Sequence, residues 1–102
     1  MSKTTPLYQI LWRPLAEADL ESIIDYIAQD SPAEALAFGR ELRDKTLLLA
    51  QHPKSGRTGR PGLPGFVREL VVHRHYIVFY RIQAKARIAE ILRLKHTAQM
   101  FP

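Results

Sequence analysis

From Leu15 onward the apolar residues Ala16, Leu20, Ile23, Ile24 and Ile27 recur at helical spacing, while Glu17, Asp19, Glu21 and Asp25 fill the positions between them. This pattern predicts an amphipathic helix with an acidic outer face. YQILW, residues 8–12, precedes it as a short β-favouring run that ends at Arg13 and Pro14, and proline suits the first position of the helix that follows. A second helix opens at SPAE, residues 31–34: Ser31 caps it, Pro32 takes the first helical position, and Glu34 follows three residues after the cap. Its apolar positions Ala35, Phe38, Leu42 and Leu49, with the neighbouring Leu36 and Leu48, continue to about Gln51, where His52 and Pro53 stop it. The short connection between the helices predicts an antiparallel hairpin.

Past residue 65 the apolar period changes from helical to alternating. FVRELVV (66–72), YIVFYRI (76–82) and RIAEILRL (87–94) read as three strands, and the connections HRH and QAKA are short enough for an antiparallel meander. Both faces of the middle run are largely apolar, as a central strand covered by helices on one side requires. The expected architecture is α+β: an N-terminal strand, then an α-helical hairpin packed on an antiparallel sheet, with a C-terminal three-strand meander and the first strand joining the same sheet. A chain of 102 residues has room for one core, so residues 1–102 form a single domain.

Between the two regimes lies PKSGRTGRPGLPG, residues 53–65, with Gly56, Gly59, Gly62 and Gly65 spaced three apart and Lys54, Arg57 and Arg60 among them. These few triplets do not make a collagen helix, which needs many triplets and three chains. Nor do they make a phosphate-binding P-loop, because Phe66 follows Gly65 where a Lys then Ser or Thr is required. What remains is a loop whose backbone can approach another molecule closely and whose charges are all positive, or a plain solvated connection. Charge is divided in the same way along the whole chain: residues 1–52 carry five Lys or Arg against eight Asp or Glu, and residues 53–102 carry ten against two. Local neutralisation in the second half looks sparse, which predicts an acidic partner unless acids of the first half fold back to pair with these cations.

The absence of cysteine excludes disulfides, thiolate metal sites and thiol nucleophiles, and is compatible with a reducing compartment. No apolar run approaches the roughly 20 residues of a membrane span, and the N-terminal stretch lacks the features of a signal sequence, so a cytoplasmic protein is expected. His52, His73, His75 and His96 lack partners at ligand spacing, no Ser stands in a G-x-S-x-G elbow, and nothing implies a metal or cofactor. RNA cleavage asks for less: a base for the 2′-hydroxyl, an acid for the leaving oxygen, and cations for the charge developing on the phosphate. His96, Arg68, Arg81, Arg93 and Lys95 are of the right types. They are equally placed for structural work, Arg68 and Arg81 pairing with Glu69, Glu90 or backbone, and His96 ending the last strand. Trp12, Tyr76 and Tyr80 are candidates for base stacking, although their apolar neighbours favour core packing.

DLESIIDYIA in the first helix, SPAEALAF opening the second, HPKSGR leaving it, GFVREL entering the sheet, YIVFYRI in its middle and ILRLKHTAQMFP at the end occur in an order that resembles the RelE/ParE superfamily of bacterial type II toxins over nearly the whole chain. The resemblance implies a small cytoplasmic growth inhibitor silenced by a co-expressed, partly disordered, acidic antitoxin, in a toxin–antitoxin hetero-oligomer. Two targets follow from the two branches: ribosome-bound mRNA, which one branch cuts, and DNA gyrase, which the other blocks. For cleavage the resemblance points to His96, Arg68 and Arg81, but Phe101 lacks the hydroxyl that the nuclease branch commonly carries near its C-terminus. The ending with His96, Gln99 and Phe101-Pro102 looks more like the ParE-like branch. Contact with target or antitoxin then falls to Lys54, Arg57, Arg60, Arg93, Lys95 and Phe101, or the chain is an inactive module that retains only its antitoxin affinity.

Overall fold

The computed structural model describes residues 7–99. Strand β1 (Gln9–Trp12) leads directly into helix α1 (Pro14–Ala28); helix α2 (Pro32–Asp44) returns, and strands β2 (Arg68–His73), β3 (Tyr76–Gln83) and β4 (Ile88–His96) complete the chain's regular structure. The four strands form one sheet in the order β1-β4-β3-β2. The meander is antiparallel, as the alternating pattern predicts. β1 joins the opposite edge parallel to β4, with Gln9 beside Ile88 and Trp12 beside Ile91, so the sheet is mixed.

Both helices pack on one face of this sheet. Ala16, Leu20, Leu42 and Leu49 meet Val72, Val78, Tyr80, Ala89, Ile91 and Leu94 in the core, with Ile10, Trp12 and Phe38 packed against it. The helices approach closely because Gly39 has no side chain: a β-carbon there would stand 2.5 Å from the Ile24 terminal methyl. Ser31 caps α2 by accepting the Glu34 N–H at 3.4 Å, with Pro32 at the first helical position. The helix ends earlier than the apolar spacing predicts. Thr46 is fully buried and its hydroxyl donates to the Arg43 carbonyl at 2.7 Å, competing with the helical ladder, and a separate 3-10 turn at Leu47–Ala50 then seats Leu49 in the core. Leu36 and Leu48 are left exposed.

Tyr80 fastens the segment after that turn to the sheet. Its hydroxyl donates to the Pro53 carbonyl at 2.6 Å and accepts the Gly56 N–H at 2.8 Å, and burial raises its pKa above the ordinary value. Core packing therefore claims this ring, while Trp12 sits half-buried beneath the Arg43 guanidinium, 4.7 Å from its centroid. Tyr80→Phe strands one buried donor and one acceptor and is expected to cost about 1–3 kcal/mol. Chemical denaturation checks this: the midpoint falls while the slope stays unchanged.

Candidate functional site: the helix-free sheet face and its basic loop

Alternation along β3 sends Val78 and Tyr80 toward the helices and Ile77, Phe79 and Arg81 to the opposite face. Glu69 on β2, opposite Phe79, and Glu90 on β4, opposite Arg81, share that second face. Both carboxylates are nearly buried, and each holds two arginines. Glu69 takes Arg60 through a two-bond fork at 2.7 and 2.9 Å and Arg57 at 3.2 Å. Glu90 takes Arg81 and, from the end of β1, Arg13 at 3.2 Å, with Gln83 donating at 3.0 Å. Each pair of guanidiniums outweighs its carboxylate, so both clusters keep a net positive charge.

The glycine-rich loop is bound to this face. Arg57 and Glu69 exchange two backbone hydrogen bonds, the Arg60 guanidinium lies 5.8 Å from the Phe79 ring centre, and Phe66 lies at the same distance from the Arg81 guanidinium. Its regular glycine spacing conceals three different circumstances. Gly56 is pressed against Tyr80 and the Glu69 carbonyl, Gly59 and Gly62 have positive φ angles of 95° and 86° that suit glycine, and Gly65 lies in open space. The close approach predicted for the loop occurs at Gly56, and its partner is the chain's own sheet.

Arg68 points to the helix side, beside Tyr80, and donates to the Gly56 carbonyl at 2.7 Å. Arg93 forms a fork with Asp19 of α1 at 2.8 and 2.9 Å. Asp19 also accepts the Leu94 N–H at 2.9 Å, which completes the β4 edge where β1 has ended. Lys54 is exposed in the 3-10 turn Pro53–Ser55. Lys95 and His96 line a cleft of about 550 Å³ with Asp19, Ser22, Ile23, Tyr26, Tyr76 and Leu94. Phe101 lies outside the described residues.

The expectation of sparse neutralisation is thus corrected: Arg57, Arg60, Arg81 and Arg93 each rest on a carboxylate. Two acids serve four arginines and Asp19 folds back from the first half, so the excess of cations survives. The division of charge lies between layers. The helical hairpin, residues 14–45, holds eight acids and three bases, and residues 53–99 hold ten bases and two acids. His96, Arg68 and Arg81 are not gathered, although Lys95 and His96 share a cleft. Arg68 and Arg81 occupy opposite faces, and His96 pairs with Tyr76, five residues along β3 from Arg81, a separation of about 17 Å in an extended strand. Arg13, which completes the Glu90 cluster, escapes sequence inspection because only the parallel β1–β4 pairing brings it there.

Hydrogen bonds from Arg60 hold the Glu69 carboxyl below its ordinary pKa of 4.5 against the opposing effect of burial, with Arg57 adding to them. Arg81 does the same for Glu90, helped by Gln83 and Arg13. For Asp19 burial is the largest single influence and pushes upward, but the combined pull of Arg93, the Leu94 N–H and Lys95 leaves the pKa lowered. Folded-state values below the unfolded ones mean that these groups stabilise the fold fully above the unfolded pKa and lose that contribution as pH falls through the folded pKa. The thermal midpoint is therefore expected to decline on acidification below the ordinary carboxyl value of 4.5. Glu90→Gln should lower the midpoint at neutral pH and make this acid decline shallower, as a melting series from neutral pH downward will show.

Residues 10–101 match the family model described as the ParE toxin of the type II toxin–antitoxin system parDE. The chain belongs to the ParE toxin family. Toxin RelE2 of Caulobacter vibrioides is 35% identical over 92 residues, covering 90% of this chain and 98% of the relative. Among solved structures, the chromosomal ParDE system of P. aeruginosa superposes with a TM-score of 0.72 at 27% identity, covering 88% of this chain and 96% of that one. The RelBE2 toxin–antitoxin complex of Mycobacterium tuberculosis, at 22% identity, shares the fold with a TM-score of 0.59, covering 90% of this chain and 99% of that one. Among the described residues of this ParE-family chain no helix is long and apolar enough to cross a membrane.

Proposed function

We propose that this ParE-family toxin arrests growth by binding DNA gyrase in the cytoplasm, and that a cognate antitoxin silences it by covering the contact surface. The observation that carries this reading is the separation of His96 from Arg81 and of Arg81 from Arg68, which leaves a binding face in place of a gathered proton-transfer set. On that face Arg57, Arg60 and the Glu90-held arginines present guanidinium groups from a rigid sheet, and Lys54 is exposed in the 3-10 turn that leads into the loop. Orientation by buried glutamates lowers the entropy lost when an anionic partner is gripped. The solved ParDE and RelBE2 systems contain toxin and antitoxin together, which supports an antitoxin partner here. An acidic segment suits the sheet layer, where cations are in excess.

A second reading is ribosome-dependent mRNA cleavage, favoured by His96 and Lys95 in one cleft beside Tyr76. Inducing the chain with and without its antitoxin separates the two readings. Replication that stops before translation, with no new 5′ ends by primer extension on translated messages, supports gyrase; new 5′ ends with replication continuing support cleavage. Induction that leaves growth untouched rejects both and makes the chain an antitoxin-binding module.

A further inference from the structure

The helical hairpin and the helix-free sheet face carry opposite charge on opposite sides of the molecule. On the hairpin Glu21, Asp25, Glu34, Glu41 and Asp44 are exposed, and none of the five forms an ion pair with a described residue. Only Glu17 and Asp19 of that layer are engaged, by Arg43 and Arg93. The surplus of acid therefore faces solvent. On the other side Arg13, Arg57 and Arg81 hold buried glutamates and still remain substantially exposed. Each side also carries an apolar feature that the fold leaves uncovered. Phe66, at the end of the basic loop beside the Arg81 guanidinium, is 59% exposed. Ile27 of α1 with Glu34, Ala37, Phe38 and Glu41 of α2 line an open groove of about 370 Å³. Three of these residues are apolar, and the other two are the unpaired carboxylates.

We propose that the groove receives a second copy of this chain: the basic face of one molecule docks on the acidic hairpin of the next, with Phe66 seated in the groove and the arginines around it facing Glu34 and Glu41. An aromatic ring flanked by guanidiniums suits an apolar groove flanked by carboxylates, in packing and in charge. Every molecule supplies both halves of this contact, which is what commits the groove to another copy. The net charge of +5 opposes association. At physiological ionic strength, however, exposed charges more than about 8 Å apart are largely screened, so the facing charges decide. A two-fold pair laying either face on its own copy would set like charge against like. The contact is instead heterologous: it leaves an acidic face free at one end and a basic face free at the other, and so it repeats. Within such an assembly every basic face but the last is covered. The association uses only faces of this chain and does not depend on whether the toxin takes gyrase or mRNA.

Sedimentation velocity on the full chain tests this. At about 0.05 M salt the average mass is expected to rise with concentration beyond that of two chains, and at about 0.5 M salt to return to that of one. Lys54→Glu with Arg57→Glu weakens the basic face and leaves the groove intact; Glu34→Lys with Glu41→Lys does the reverse. Each double variant alone should remain a single chain. Mixed, they should form pairs and go no further, because only one intact contact is available to each pair. Phe66→Ala should weaken assembly about tenfold. A wild type that keeps the mass of one chain at low salt, assembly that stops at two chains or ignores salt, double variants that do not pair when mixed, or Phe66→Ala assembling as the wild type does would each overturn the proposal. If Arg57→Glu does not fold because Glu69 loses a partner, the wild type, Phe66→Ala and the Glu34, Glu41 variant decide.

Discussion

Gly56→Ala is expected to be the most destabilising single methyl addition in the glycine-rich loop. The backbone at this position, with φ −75° and ψ 154°, is open to any residue, so conformational strain is not the reason. The reason is space. An added β-carbon would stand 2.6 Å from Tyr80 Cε1, 2.7 Å from the Glu69 carbonyl oxygen and 2.7 Å from the Tyr80 hydroxyl. One of these atoms is main chain of β2 and the others belong to a fully buried ring, so none yields cheaply. Relief requires the loop to lift, which breaks the Tyr80 bonds and loosens the Arg57–Glu69 pairing next to them. The expected cost is about 3 kcal/mol or more, at the upper end for overpacking. Denaturation of Gly56→Ala beside Gly65→Ala measures it: the loss should be confined to the first, since Gly65 has nothing within 4 Å of an added methyl.

The second large effect concerns function. Replacing Lys54, Arg57 and Lys95 by Glu reverses three charges on the basic layer, none of them from the Glu90 cluster, and is expected to abolish growth arrest by the induced toxin. A reversal of three charges on the acidic layer, Glu21, Asp25 and Asp44 to Lys, is expected to leave arrest in place, because that change in net charge, equal in size and opposite in sign, falls on the other side of the molecule. Counting viable cells after induction, with circular dichroism to confirm folding, separates the two. Long-range attraction by net charge alone predicts that the acidic-layer variant becomes more active and gives no special place to the sheet face. A local grip predicts loss from the first variant alone.

Much of this scaffold is legible in the sequence because local signals and burial agree. Ser31-Pro32 starts α2 where the capping pattern puts it, and the change from helical to alternating apolar spacing marks the passage from hairpin to meander. What is not legible depends on contacts distant along the chain. The parallel pairing of β1 with β4 leaves no trace in either strand's own pattern, and with it goes the arrival of Arg13 at Glu90. The early end of α2 turns on one buried hydroxyl, Thr46, amid leucines whose spacing continues the helix. Charge counting finds the excess of cations in the second half but cannot show that Asp19 crosses to Arg93, 74 positions away, or that Glu69 and Glu90 each serve two arginines. Membership of the toxin family accordingly rests on the match along residues 10–101 and on the shared fold, and the electrostatics serve to locate the contact face.

The measurement closest to the central claim is supercoiling by purified gyrase, titrated with the purified toxin at low and at raised ionic strength. A positively charged face gripping an anionic surface predicts inhibition that weakens as salt screens the exposed charges. No inhibition at concentrations that arrest growth, or inhibition indifferent to salt, would contradict it.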